Sequence, residues 1–403
     1  MRILSITAQK PNSTGSGVYL TELVKEYALK GHEQAVVAGV YEDDKVELPE
    51  GVDFYPVYFC PEVEQGIIGK VPYPIIGMSD EMPYKSTRYC DVTPQMEEQF
   101  RDAFLKVIKE AVRELQPDLI LCHHLYLLTA IVREAFPEHR IYGFCHNTDL
   151  RQMKKTDLER EFIREQIRRL DHIFVPQRAQ EEGVRDIYDA DLKKITRVGM
   201  GYNNKIFRVA DKGPKDGITR LVFAGKIAEK KGVMSLIRSL SYLKYGKEKL
   251  RIYLAGSTGN EEEYRIIKRL AEVCPYEITF LGRLSQPELS KVYNECDIFV
   301  LPSFFEGIPL TVIEALACGD RVVMTDLPGI REWLSEAAPK ADVRYVPMPQ
   351  MKNTDEPVPE TLPAFEMRLA EVLSESITQG EQVRADVSGI SWEKIAEKVL
   401  EIS

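Results

Sequence analysis

Short apolar runs alternate along the chain with longer stretches in which apolar residues recur every three or four positions. In the first half the runs predict strands at residues 2–7, 34–40, 54–59, 119–122, 140–144 and 173–176. Between them the three-to-four spacing predicts helices, such as one over 18–30 that buries Leu20, Leu23, Val24 and Tyr27 and stops at Gly31. The second half repeats the pattern, with strands near Leu221, Arg251, Ile278, Ile298 and Arg321. Strand and helix in alternation mark an α/β protein with parallel sheets covered on both faces. The halves meet at a polar, breaker-rich stretch over 207–217, and a chain of 403 residues exceeds what one core supports. Two doubly wound domains are therefore expected, over 1–207 and 218–387. Segments 60–93 and 346–364 break the alternation, being long, proline-containing and aperiodic.

Composition narrows the class. A net charge of -10 argues against a nucleic-acid partner, which needs a basic face. Seven scattered cysteines, without C-x-x-C or other metal spacing, point to a reducing compartment. The apolar run after Met1 is too short for a signal peptide, and no segment approaches the length of a bilayer span, so a cytoplasmic protein is expected.

The stretch from Glu306 through Pro309 and Glu314 to Leu316 carries the most chemistry. Pro309 suits a first helical turn and Gly319 a helix stop, which leaves Glu306 in a loop and Glu314 in mid-helix. The helix is apolar nearly all round and holds no Lys or Arg. Glu314 is then either a rim residue facing water or a buried acid that needs a partner, with ligand hydroxyls such as a ribose diol as candidates. Upstream, the strand at 221–224 ends at Gly225 and is followed by Lys226 and Lys231 before Gly232. Cations at the carboxyl end of a parallel strand either hold an anion or form a solvated basic loop.

Together these motifs resemble the signature of family 4 retaining glycosyltransferases, which have the GT-B architecture of two Rossmann-like domains facing each other across a cleft. The resemblance covers nearly the whole chain. It is most specific in Phe304-Phe305-Glu306-Gly307-Ile308-Pro309-Leu310, with the second acid of E-x7-E at Glu314, and in the Gly225–Gly232 stretch, similar to the family's G-R-L-x-x-E-K-G. It implies that Glu306 and the backbone of Gly307, Ile308, Pro309 and Leu310 hold the donor sugar. Glu314 would bind the nucleotide ribose. Lys226 and Lys231 would neutralise the departing diphosphate, Lys226 standing where the family has Arg and lacking its bidentate fork.

Two motifs of the first half join by the same resemblance. The loop 9–17 holds Gly15 and Gly17, the positions at which the family's glycine-rich loop nears donor phosphates and acceptor; otherwise these glycines serve turn geometry. Cys145-His146-Asn147-Thr148-Asp149 resembles the H-G-T-D loop, with Asn147 in place of Gly. That puts His146 beside the reacting carbon and Asn147, Asp149 and Arg151 on the acceptor side. The pair His123-His124 has no third metal ligand at suitable spacing and reads as fold or acceptor-side polarity. No D-x-D motif sits in a metal-ready loop, so neither a metal nor another cofactor is expected. The closing helix, 388–403, is expected by resemblance to brace the first domain.

The activity so implied is retaining transfer of a hexose-type sugar from a nucleotide diphosphate, with UDP-glucose or UDP-GlcNAc preferred over GDP-mannose. The acceptor is a sugar, lipid-linked or small molecule, and the setting bacterial glycoconjugate or polysaccharide synthesis. Rival readings are a nucleotide-sugar 2-epimerase, which would need a carboxylate cluster beyond Glu306, and a nucleotide-sugar-sensing module. The helix over 157–170 carries Arg160, Arg164 and Arg168, but interleaved acids make it a solvated charged helix rather than more than a peripheral membrane contact. Segment 66–78 is either an acceptor lid, a partner surface or packing over the sheet edge.

Overall fold

The computed structural model describes residues 1–66, 68–80, 82–210, 216–353, 355–379 and 384–402. Ile67 and residues 211–215 of the expected linker lie outside the described residues. The chain divides into two compact units, Met1–Gly201 with Trp392–Ser403, and Tyr202–Ser391. The division falls at Gly201 because Tyr202 and Phe207 are buried among the apolar side chains of the second unit.

The first unit runs β1 (Arg2–Thr7), α1 (Gly15–Leu29), β2 (Glu33–Val40), β3 (Val52–Tyr58), β4 (Ile76–Gly77), β5 (Thr87–Arg88), α2 (Pro94–Leu115), β6 (Leu119–His123) and α3 (Leu127–Ala135). It continues with β7 (Ile141–Phe144), α4 (Thr148–Lys155), α5 (Arg160–Arg168), β8 (His172–Val175), α6 (Arg178–Tyr188) and β9 (Ile195–Arg197). Its main sheet has the order β3-β2-β1-β6-β7-β8-β9 and is parallel throughout. Strand order reverses between β1 and β6, so the loops after these strands diverge there and leave a crevice at the carboxyl edge. Residues on both faces of β1 and β6 are buried, as continuous apolar strands in a two-sided sheet require.

The second unit runs β10 (Thr219–Ala224), α7 (Val233–Ser239), β11 (Leu250–Ala255), α8 (Glu261–Glu272), β12 (Glu277–Gly282), α9 (Gln286–Glu295) and β13 (Ile298–Leu301). Then come α10 (Leu310–Ala317), β14 (Arg321–Thr325), α11 (Ile330–Ala337), β15 (Val343–Val346) and α12 (Leu362–Thr378). The sheet order β12-β11-β10-β13-β14-β15 reverses between β10 and β13, so each unit has its own Rossmann-like switch point. The closing helix α13 (Trp392–Glu401) packs within the first unit. There the Trp392 ring meets Tyr19 edge-on at 4.9 Å, and Tyr142 donates its hydroxyl to the Ile402 carbonyl at 3.0 Å.

The structure differs from the sequence pattern in several places. The strands β4, β5, β9 and β15, two to four residues long, went unpredicted, because so few residues show no period. Helix α5 starts at Arg160 rather than 157, after Glu159 takes a left-handed φ of 46°. Pro309 caps α10 instead of lying in its first turn. Of the readings open for segment 66–78, packing over the fold is the one its burial supports, since Val71, Tyr73, Ile75, Ile76 and Met78 are buried in the first unit's core. Among its described residues only the rim carries an exposed apolar side chain, Ile68.

Candidate active site

In the second unit the two motifs around residues 225–232 and 304–314 are brought together by the sheet. β10 and β13 are neighbours, paired Leu221 to Ile298, so the loops leaving them lie side by side. The loops are also locked to each other. The Phe304 N–H donates to the Lys230 carbonyl at 3.1 Å. Gly232 takes a left-handed φ of 69°, and a Cβ there would run into the Pro302 carbonyl, so only glycine fits both demands.

On this frame Lys231 Nζ meets Glu306 Oε1 at 2.7 Å, with side-chain exposures of 29% and 14%. Lys231, expected to meet an anion of a ligand, is thus paired with an acid of the chain itself. Lys226 is exposed, and its ammonium end lies against Gly259, where a Cβ would be 2.7 Å away. Lys230 is drawn off to Asp355 at 2.6 Å. Beyond Gly307, which has open space around it, and Ile308, helix α10 begins at Leu310 with no side chain capping its amino end. The first-turn N–H groups and the positive end of the helix dipole are thus unspent by any side chain of the loop.

Glu314 sits in mid-α10 among buried Val312, Ile313, Ala315 and Leu316 and is itself only 8% exposed. No side-chain hydrogen bond or ion pair reaches its carboxyl from the described residues. Burial alone pushes its pKa up to about 7. A buried acid kept without a protein partner is uneconomical for folding and is suited to a ligand that brings donors.

In the first unit, Gly15 and Gly17 form the first turn of α1 rather than the loop before it, and Thr14 caps the helix by accepting from the Gly17 N–H at 3.2 Å. A Cβ on Gly17 would lie 2.8 Å from the Lys10 carbonyl oxygen and 2.9 Å from the Asn12 nitrogen, so tight loop packing accounts for this glycine. Gly15 has nothing within 4 Å and its φ is ordinary, so packing does not account for it. Gly17→Ala should therefore lower thermal stability, by about 1–3 kcal/mol, whereas Gly15→Ala should leave it unchanged within roughly 0.5 kcal/mol. Equal melting temperatures for the two variants would overturn the distinction.

His146 lies two residues beyond β7, half-buried, with Nε2 3.2 Å from Nδ1 of His123 and its ring stacked on that histidine at 5.4 Å. Desolvation pushes its pKa down to about 3, so it is a neutral imidazole at physiological pH. Asn147 holds φ at 68°, a strained value for a non-glycine residue. Asp149 is corrected from an acceptor contact to a support of the loop. Its carboxylate is fully buried and accepts from the backbone N–H groups of Leu125, His146 and Leu150 at 2.9 to 3.2 Å. Arg151 is exposed and donates to Ser79 Oγ at 3.1 Å. Sequence reasoning missed both the Lys231–Glu306 pair and the histidine stack. The only signal for the latter was the His-His doublet at a strand end.

Among the described residues no helix is long and apolar enough to cross a membrane, and no group of three His, Cys, Asp or Glu is placed to hold a metal. All seven cysteines are free thiols.

Both units of the chain are similar to known proteins. Residues 13–204 match the family model for Glycosyltransferase Family 4, and residues 218–345 that for Glycosyl transferases group 1. A D-inositol 3-phosphate glycosyltransferase of Pseudarthrobacter chlorophenolicus is 30% identical over 153 residues, 36% of this chain and 36% of that protein. The matched stretch thus spans about a third of that relative's length. Among solved structures, sucrose-phosphate synthase from Thermosynechococcus elongatus aligns with a TM-score of 0.61 at 15% identity, over 100% of this chain and 98% of that one. Anabaena Alr3699/HepE, solved in complex with UDP, aligns with a TM-score of 0.62 at 13% identity, over 100% and 99% of the two chains. At these identities the structural likeness speaks to the fold.

Proposed function

The chain belongs to the family 4 glycosyltransferases, and from that premise we propose that it moves a hexose-type sugar from a nucleotide diphosphate to an acceptor with retention at the transferred carbon. The observation that carries the reading is the joining of two distant motifs at the β10/β13 reversal. It puts the Lys231–Glu306 pair, the uncapped start of α10 and the unpartnered Glu314 at one strand edge. Nucleotide sugars present complementary groups: a diphosphate for cations and helix N–H groups, and sugar and ribose hydroxyls for carboxylates. In this reading Lys226, Lys231 and the α10 amino end stabilise the diphosphate as charge develops on it. Glu306, with the backbone of Gly307, Ile308, Pro309 and Leu310, holds the donor sugar, and Glu314 holds the ribose. His146 serves as a neutral hydrogen-bonding group for the sugar, and the departing diphosphate assists attack by the acceptor hydroxyl on the same face. Gly15, Asn147 and Arg151 remain candidates for ligand contact in the first unit.

UDP-glucose and UDP-GlcNAc are the preferred donors, bacterial glycoconjugate synthesis the preferred setting and the cytoplasm the place of action, to which the free thiols are suited. A thermal-shift panel over UDP, GDP and ADP sugars tests the reading, since a ligand at a hundredfold its Kd adds about 2.7 kcal/mol of stability. Glycoside product from the stabilising donor would confirm transfer. Stabilisation by none of the panel, with no glycoside formed, would reject it.

Two further outcomes follow from the residues assigned to the diphosphate. Activity should survive EDTA, because cationic side chains and the helix end serve the leaving group. Loss of activity that Mg²⁺ or Mn²⁺ restores would contradict this. Lys226→Arg should keep or raise kcat, since Lys226 is exposed and Arg restores a bidentate fork without changing charge. Abolished turnover in a well-folded Lys226→Arg protein would place Lys226 outside the diphosphate site.

A further inference from the structure

At the carboxyl edge of the first unit's sheet, buried polar groups that the proposed transfer does not use stand without partners. Ile6 of β1 is in register with Cys122 of β6, so Gln9 and His124 leave the sheet from neighbouring strands where the strand order reverses. Gln9 is 1% exposed, and its amide Nε2 has no hydrogen-bond partner. His124 is 5% exposed, and neither ring nitrogen has one; Nε2 of His123 is also unpaired.

The backbone around His124 is tightly held while its ring is left unspent. Its N–H donates to the Phe144 carbonyl at 3.0 Å, and its own carbonyl accepts from Thr129 Oγ1 at 2.5 Å. It nonetheless sits at φ 73°, a left-handed value that a β-carbon disfavours. Strain retained at a strand end, beside unpartnered nitrogens, is a mark of a binding position rather than of core packing. The His124 ring lies 4.8 Å from that of His146, centroid to centroid, which joins the unspent groups to the candidate active site.

The charged groups of these loops are directed elsewhere. The Asp149 carboxylate is taken up by backbone donors. Lys10 Nζ is bound by Asp44 at 2.6 Å under the Tyr41 ring. What remains is an amide and neutral imidazoles, which both donate and accept, as hydroxyl groups do. A phosphate or carboxylate would call for cations and donors only.

We propose that Gln9 and His124, alongside His146, form a recognition subsite for the ring hydroxyls of an uncharged polyol, the monosaccharide or cyclitol portion of the acceptor. The inference rests on the glycosyltransferase reading for the role of that polyol, but the binding itself is measurable without turnover. Saturation-transfer NMR of the full chain with myo-inositol, D-glucose and D-fructose should detect at least one of them. Gln9→Met, which keeps the side chain's shape, and His124→Asn, which tolerates the left-handed backbone, should each weaken that binding at least tenfold. Nucleoside diphosphate affinity should stay within twofold in both.

Unchanged polyol binding in the folded variants would overturn the proposal, as would an equal loss of nucleoside diphosphate binding, which would show that the two side chains merely hold the fold. A wild-type protein that binds a nucleoside diphosphate but none of the polyols would also overturn it, and would leave the transferase reading standing. Polyol binding without nucleotide binding would do the reverse. Should a variant not fold, the His124 ring resonances of the wild type decide: they shift on polyol addition if the subsite is real and stay fixed if it is not.

Discussion

Lys231→Ala should lower kcat with the sugar donor by roughly 10²- to 10³-fold, the scale for one lost group that stabilises charge developing on a leaving group. The pairing of Lys231 with Glu306 at 2.7 Å refines that expectation. Removing the lysine also strips Glu306, 14% exposed, of its counter-charge, so part of the loss passes through the acid. Lys231→Ala and Glu306→Ala should therefore combine to less than the product of their separate effects, as residues acting as a unit do. Glu306→Ala alone should spare nucleoside diphosphate affinity while lowering turnover. A drop of less than tenfold for folded Lys231→Ala, or strict multiplicativity of the two changes, would remove the pair from the chemistry.

Glu314→Gln should move stability and nucleotide affinity in opposite directions. The folded carboxyl titrates near 7 against an ordinary 4.5, because it is desolvated and unpartnered. The unfolded chain therefore ionises this group while the folded one still holds its proton. Between pH 4.5 and 7 the wild type loses stability from Glu314, reaching a plateau of about 3 kcal/mol above pH 7 as an upper figure. The glutamine variant escapes that cost, so it should melt higher than wild type at pH 8 and no differently at pH 4. Its nucleoside diphosphate affinity should fall roughly 10- to 150-fold, the equivalent of about 1.5–3 kcal/mol for a lost hydrogen bond to a charged acceptor. Wild-type affinity should rise from pH 6 to 8 as the carboxylate forms, and the variant's should not. A variant less stable at pH 8, or one with unchanged nucleotide affinity, would make Glu314 a structural residue.

The sequence by itself determined the class of fold and most of its elements. Apolar runs bounded by breakers at 2–7, 119–122 and 298–301 could satisfy their backbones and bury both faces only as central parallel strands, and so they do. The burial of Glu314 was also legible, since an apolar helix leaves a mid-helix side chain few routes to water. The short strands β9 and β15 carried too few residues for a period. Segment 66–78 hid its role because irregular backbone has no repeat to read, although Tyr73 and Ile75 are core residues. Partnership was decided by tertiary structure alone. Lys231 finds Glu306, 75 positions away, because strand order sets β10 beside β13, and nothing local encodes that adjacency. The same holds for Asp149, which the resemblance of its loop placed on the acceptor side and which packing turned toward the N–H groups of Leu125 and His146. Local spacing shows which groups a segment can present; long-range strand order, set by burying a whole core at once, selects the partners they meet.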